Sequence, residues 1–97
     1  MNIHIALYRW KPSATIEQIN KALSDIEALA EKVPGIVEIS TGVNTSNYSE
    51  GYTHVILVRG DSQAALEAYR AHPDHVIAAK LIDDIEDRGI GVDLETI

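Results

Sequence analysis

The sequence predicts an α+β fold of the ferredoxin-like β-α-β-β-α-β type, on three observations. Strand-like apolar alternation recurs at 3–10, 36–43, 52–59 and 89–94. Helical 3-and-4 spacing fills the gaps after the first and the third of these stretches. Capping residues and proline or glycine stops bound the helices. Such an order builds one four-stranded antiparallel or mixed sheet, 4-1-3-2, with strands 1 and 3 expected as parallel neighbours at its centre. Right-handed crossovers then place both helices on one face. With 97 residues, the chain reads as a single domain, 1–97.

The first strand alternates Ile3, Ile5 and Leu7 on one side with His4, Ala6, Tyr8 and Trp10 on the other. Lys11-Pro12-Ser13 ends it, and Thr15 with Gln18 forms a capping-box pattern. Ile16, Ile19, Leu23, Ile26, Ala30 and Val33 then predict a helix of five turns, stopped at Pro34-Gly35. The second strand, from Ile36 to Val43, is diluted by Ser40, Thr41 and Gly42. A polar loop follows at 44–51, and its two Asn-x-Ser matches need no further meaning there. In the third strand Val55 and Leu57 share one side, and His54, Ile56 and Val58 the other. Ser62 caps a second helix that breaks at His72-Pro73, where proline opens a new segment through Val76, Ile77, Leu81 and Ile85. A short strand from Gly89 to Leu94 completes the order.

Composition removes several functions. The formal net charge is −7 with no basic cluster, so a nucleic-acid partner is not expected. No apolar run approaches the ~20 residues that span a bilayer, so no membrane partner is expected. Met1 to Ile5 lacks the basic and apolar parts of an export signal. The absence of cysteine rules out thiolate chemistry and suits a reducing, cytoplasmic setting.

The helices can cover only one sheet face, yet both faces are apolar. Ile3, Ile5, Leu7, Val55 and Leu57 form one face alone. Exposing such side chains forfeits about 1.5–3 kcal/mol each, and a small domain is stable by only about 5–15 kcal/mol. A second copy of the chain is the expected cover, so the protein is predicted to be a homodimer.

The second, mixed face carries His4, Tyr8, His54 and Ile56, and is expected to hold a pocket under the helices. With strands 1 and 3 parallel, His4 and His54 would lie at one end of the sheet. The second helix would return Tyr69, His72 and His75 to that same end. A histidine near pKa 6.5 and a phenol could take a proton beside a carbonyl and stabilise the enolate. His4, Tyr8, His54, Ile56 and His72 are therefore candidate pocket residues, and Tyr69 and His75 the candidate catalytic pair. Structural roles are open for each: core histidines at 4 and 54, a helix cap at 72, core packing at Tyr69 and a surface position at His75. His72 and His75 are three apart, but no carboxylate stands at a completing position, so no metal is expected. No phosphate loop or other cofactor motif occurs, so no cofactor is expected.

Gly51-Tyr52-Thr53-His54, Tyr69-Arg70-Ala71-His72-Pro73-Asp74-His75 and Val92-Asp93 together resemble the stress-responsive dimeric α/β-barrel (Dabb) family. His4, Pro34-Gly35-Ile36 and Gly42-Val43-Asn44 add to the resemblance, which spans the chain. It implies a homodimer whose two sheets meet as a barrel with the helices outside. The family includes plant stress proteins and a plant polyketide cyclase that makes olivetolic acid. In that cyclase, the residues matching Tyr69 and His75 act as the acid/base pair, and those matching His4, His54 and His72 lie in or beside the pocket. Aromatic residues of the cyclase's first helix are replaced here by Ala22, Leu23 and Ile26, and a tryptophan near its last strand by Glu86. The pocket is thus expected to be less aromatic and differently shaped. Three functions stay open: a cofactor-free acid/base enzyme or binder for a small carbonyl or phenolic compound, a non-catalytic stress-related homodimer, and a cofactor-independent monooxygenase.

Overall fold

The computed structural model describes residues 1–97. Strand β1 spans Asn2–Trp10, helix α1 Ile16–Glu27, β2 Ile36–Val43, β3 His54–Gly60, α2 Gln63–Ala71, α3 Pro73–Ile85 and β4 Glu86–Glu95. The sheet order is β2-β3-β1-β4, as predicted for the ferredoxin-like fold.

Local chemistry accounts for the boundaries. Thr15 caps α1 through a complete capping box with Gln18. The predicted five-turn helix instead ends at Glu27 and tightens into a 3-10 turn at Ala28–Glu31. Gly35 then turns the chain at φ 88°, a region that glycine enters without strain. A Cβ there would also stand 2.8 Å from the Cβ of Ala65.

Ser62 caps α2 by accepting from the backbone of Ala65 at 3.1 Å. Pro73 forces the residue before it out of the helical region, and His72 is extended with φ −61° and ψ 135°. The same residue caps α3, its Nδ1 accepting from the Asp74 backbone at 3.0 Å. The last strand is longer than its apolar residues indicate. It starts directly after α3 and pairs with β1 from Trp10↔Glu86 to Asn2↔Glu95, so pairing carries its polar first half.

One expectation is overturned. Strands β1 and β3 are antiparallel, with His4 opposite Val58 and Tyr8 opposite His54. The connection through α1 returns β2 parallel to β1 with a gap between them. The β2–β3 hairpin reverses the chain into that gap, so β3 must oppose both neighbours. His4 and His54 therefore lie four positions apart along the sheet, about 13 Å at about 3.3 Å per residue.

The core lies between the helices and the inner sheet face. It contains Ala6, Ile56 and Val58 from the sheet, and Ile26, Leu29, Leu66, Tyr69 and Ile82 from the helical layer. The molecule measures 36 × 29 × 16 Å, the thickness of one sheet and one helical layer. On the outer face, rows of opposed residues run Ile90–Leu7–Val55 and Val92–Ile5–Leu57, with Leu94 beside Ile3. Ile90, Val92 and Leu94 are 41%, 45% and 44% exposed.

Candidate functional site

Helix α2 has nine residues and β3 has seven. The helix advances about 13 Å against about 23 Å for the strand, so it reaches only partway back along the sheet. Its last turn places Tyr69 and Arg70 over the middle of β1. The His72-Pro73 break redirects the chain, and α3 runs on to the Trp10 end. A cavity of ≈ 230 Å³ opens beneath this elbow.

His4, Ala6 and Tyr8 of β1 and Ile56 of β3 form its floor. Tyr69, Arg70 and His75 wall one part, and Asp83 and Glu86 the other. A second hollow continues from His4, Tyr8 and Glu86 across Gly89 and Gly91. These glycines face inward on β4, opposite Tyr8 and Ala6. Without side chains they leave the β4 edge of the cleft open.

Tyr69 is 2% exposed, and its side chain borders the cavity without a hydrogen bond from the hydroxyl to any protein group. His75 meets the Tyr69 ring edge-on, with centroids 4.6 Å apart. Burial lowers the pKa of His75, and the nearby positive charge of Arg70 and His4 adds to the effect. The imidazole is therefore neutral at neutral pH. Burial raises the pKa of Tyr69, with the Tyr8 phenol adding and Arg70 opposing. Burial likewise pushes Tyr8 up to about 12, ahead of the charges of Glu86 and Asp83. Both phenols keep their protons and act as donors.

At one end, His4 Nδ1 lies 2.8 Å from Asp93 Oδ1, and Arg70 donates to the same oxygen at 2.8 Å. Arg70 also stands 3.2 Å from His4 Nδ1. The hydrogen bond from His4 is the main reason that the Asp93 pKa is lowered.

His54 and His72 sit elsewhere. Nδ1 of His54 accepts the Trp10 indole N–H at 2.8 Å and lies 2.8 Å from the Thr53 hydroxyl. Trp10 in turn stacks on Tyr8, with centroids 5.2 Å apart. Thus His54 reaches the cavity only through two aromatic rings. His72 spends its Nδ1 on the α3 cap. The His72/His75 pair therefore offers no joint metal site, and no group of three or more His, Asp or Glu side chains is arranged for one.

The site also includes residues that the sequence reading did not select. Arg70 and Asp83 stand in the cavity wall beside Glu86, the position already noted as differing from the cyclase, and Asp93 anchors His4. The pattern Gly89-Ile90-Gly91-Val92-Asp93 held a signal, because strand alternation puts both glycines and the aspartate on the inner face.

Fold and site together define a ferredoxin-like domain with an internal cleft between its sheet and its helices. The Stress responsive A/B Barrel Domain family matches residues 3–96, and the chain belongs to that family. It is 33% identical over 88 residues to a stress-response A/B barrel domain-containing protein of Arabidopsis thaliana, covering 84% of this chain and 33% of that protein. The chain thus spans about a third of the length of that relative. Olivetolic acid cyclase of Cannabis sativa is 28% identical over 75 residues, covering 75% of this chain and 74% of the cyclase.

Among solved structures, a dimeric ferredoxin-like protein of unknown function from Jannaschia superposes with a TM-score of 0.87, at 27% identity and 98% coverage of both chains. A hydroxynitrile lyase from Passiflora edulis shares the fold, with a TM-score of 0.85 at 20% identity, over 99% of this chain and 95% of the lyase. No helix of the chain is long and apolar enough to cross a membrane.

Proposed function

We propose that the protein is a homodimer in which each subunit carries one cofactor-free acid/base pocket for a small carbonyl or phenolic compound. The observation that carries the reading is the hydroxyl of the buried Tyr69, which meets the cavity without a protein partner beside a neutral His75. The hydroxyl opens onto the cavity rather than being sealed in the core, so it is free to donate to a ligand oxygen there.

In this reading His75 takes a proton from the carbon next to a carbonyl. The electron pair released forms the C=C bond of an enolate, and charge moves onto the carbonyl oxygen. Tyr69 donates a hydrogen bond to that oxygen without giving up its proton. A placed general base contributes about 10²–10⁴-fold, and one oxyanion donor about 10²–10³-fold. His4, held by Asp93, presents its ring to the cavity floor. The relation to olivetolic acid cyclase supports acid/base chemistry on a carbonyl compound. The cavity lining here, with Glu86 and Asp83, argues for a different substrate.

Dimerisation rests on the outer sheet face. Its aliphatic rows are continuous across β3, β1 and β4, and related structures of this fold are dimeric. Covering that face with a second copy would close two sheets into one barrel and leave both clefts on the outside.

Titration with acetophenone, followed through the His75 ring resonances, tests the pocket. The expected result is a saturable shift in the wild type that weakens in Tyr69→Phe. Unchanged His75 resonances at millimolar acetophenone would refute it.

A further inference from the structure

The cavity has two chemically different ends, and only one is used by the acid/base reading. At the far end the side chain of Glu86 folds back over β4. A Cβ built on Gly89 would lie 2.8 Å from Glu86 Oε2 and 3.6 Å from the Tyr8 ring. The space vacated by Gly89 is thus where the carboxylate sits, against Tyr8 and inside the cleft. Asp83, one turn earlier on α3, lines the same wall.

No cation balances this pair. Arg9 bonds Asp87, Lys11 donates to the Asp84 carbonyl, and Arg70 bonds Asp93. None of the ion pairs in the chain includes Asp83 or Glu86. Burial raises the pKa of Glu86, and its hydrogen bond with Asp83 adds to this. The hydroxyl of Tyr69, a side chain almost wholly buried, meets the same cavity without a partner.

We propose that Glu86, supported by Asp83, determines substrate specificity by binding a protonated amine at one end of a ligand whose carbonyl group meets Tyr69 and His75 at the other. The inference rests on the acid/base reading of the same cavity and names its substrate class: a short aminoketone or aminoaldehyde. The ≈ 230 Å³ of the cavity suits a single ring with small substituents. Ordinary drug-sized pockets begin at about 300 Å³. A hydrogen bond between ammonium and carboxylate in a half-buried wall is of the charge-assisted kind, stronger than a neutral one.

Calorimetric titration with three matched probes tests the proposal on the intact protein. The probes are 4-(aminomethyl)acetophenone, its neutral isostere 4-ethylacetophenone, and 4-acetylbenzoate. The wild type should bind the amine at least about tenfold more tightly than the ethyl compound, and the benzoate most weakly. Glu86→Gln should erase the preference for the amine over the ethyl compound. Asp83→Asn should reduce the preference in part. Equal binding of the amine and ethyl probes to the wild type would overturn the assignment of Glu86 and leave the acid/base pocket standing. So would a preference that persists in Glu86→Gln. Failure of all three probes to bind would overturn the pocket itself, and this inference with it.

Discussion

Trp10 donates its indole N–H to Nδ1 of His54 over 2.8 Å. An indole nitrogen can only donate, so Nδ1 must be bare and His54 neutral. Burial lowers the His54 pKa from 6.5, in agreement with this geometry. The folded state therefore binds a proton less readily than the unfolded chain. The His54 contribution to stability is full above 6.5 and is lost as pH falls from there through the lowered folded value. His75 acts in the same direction. Unfolding by urea between pH 7.5 and 5 should show stability falling with pH, with a smaller slope in His54→Gln. The Trp10 indole N–H resonance should shift in the same pH window.

His72 is predicted to be a helix cap, not a pocket residue. Truncation to alanine should cost about 1 kcal/mol, as for other N-caps. His72→Asn should recover most of that loss. Both variants should bind acetophenone as the wild type does, since neither the cap nor Pro73 lines the cavity. Comparing urea midpoints with binding constants separates the two roles.

How far the sequence led can be judged from these two histidines. The cap at His72 followed from the proline after it, a local rule that tertiary structure does not override. The capping box at Thr15 and the break before α3 were legible for the same reason. The place of His54 depended on strand direction, which hydrophobic alternation does not encode. Alternation assigns a face, and it assigned His4, Tyr8, His54 and Ile56 to the inner one. It does not give position along the sheet, and the parallel pairing assumed for β1 and β3 brought His54 to the wrong end. Arg70 and Asp83 were hidden differently. A charged residue near a helix end reads as solvated surface, and only the packing of the helices over the sheet turns them into cavity walls.

Leu57 sits at the centre of the outer face, between Ile5 and Ser40. An aspartate there would place a charge in the proposed seam. Sedimentation of Leu57→Asp should give a particle of 10.6 kDa, while the wild type gives twice that mass. The variant should also be less stable, because the aliphatic rows then face water. The cavity lies between the helices and the inner sheet face, with Ala6 and Ile56 in its floor, and not on the outer face, so the folded monomer should keep its acetophenone affinity.

Glu86 carries a sign opposite to that of the histidines. Its folded pKa is raised above 4.5, so its favourable contribution is full below 4.5 and is lost as pH rises through the folded value. At neutral pH the charged pair with Asp83 opposes folding. Glu86→Gln should therefore melt at a higher temperature than the wild type at pH 7. The difference should shrink toward pH 4. Calorimetric melting at the two pH values checks this independently of any ligand.

Release of the Asp93 anchor is expected to affect the site more than the fold. Its carboxylate is exposed, so the ion pairs to His4 and Arg70 are screened and worth at most about 1 kcal/mol together. Asp93→Ala should leave the urea midpoint nearly unchanged. The His4 ring should become mobile, which broadens or averages its resonances.

The acid/base pocket can be tested directly without knowing the natural substrate. Phenylacetone in D₂O, followed by proton NMR, reports removal of the hydrogens beside its carbonyl. The wild type should accelerate their exchange over buffer. His75→Ala should lose about 10²-fold or more of that acceleration, and Tyr69→Phe should lose a comparable share. Exchange at the same rate in the wild type and both folded variants would contradict the account.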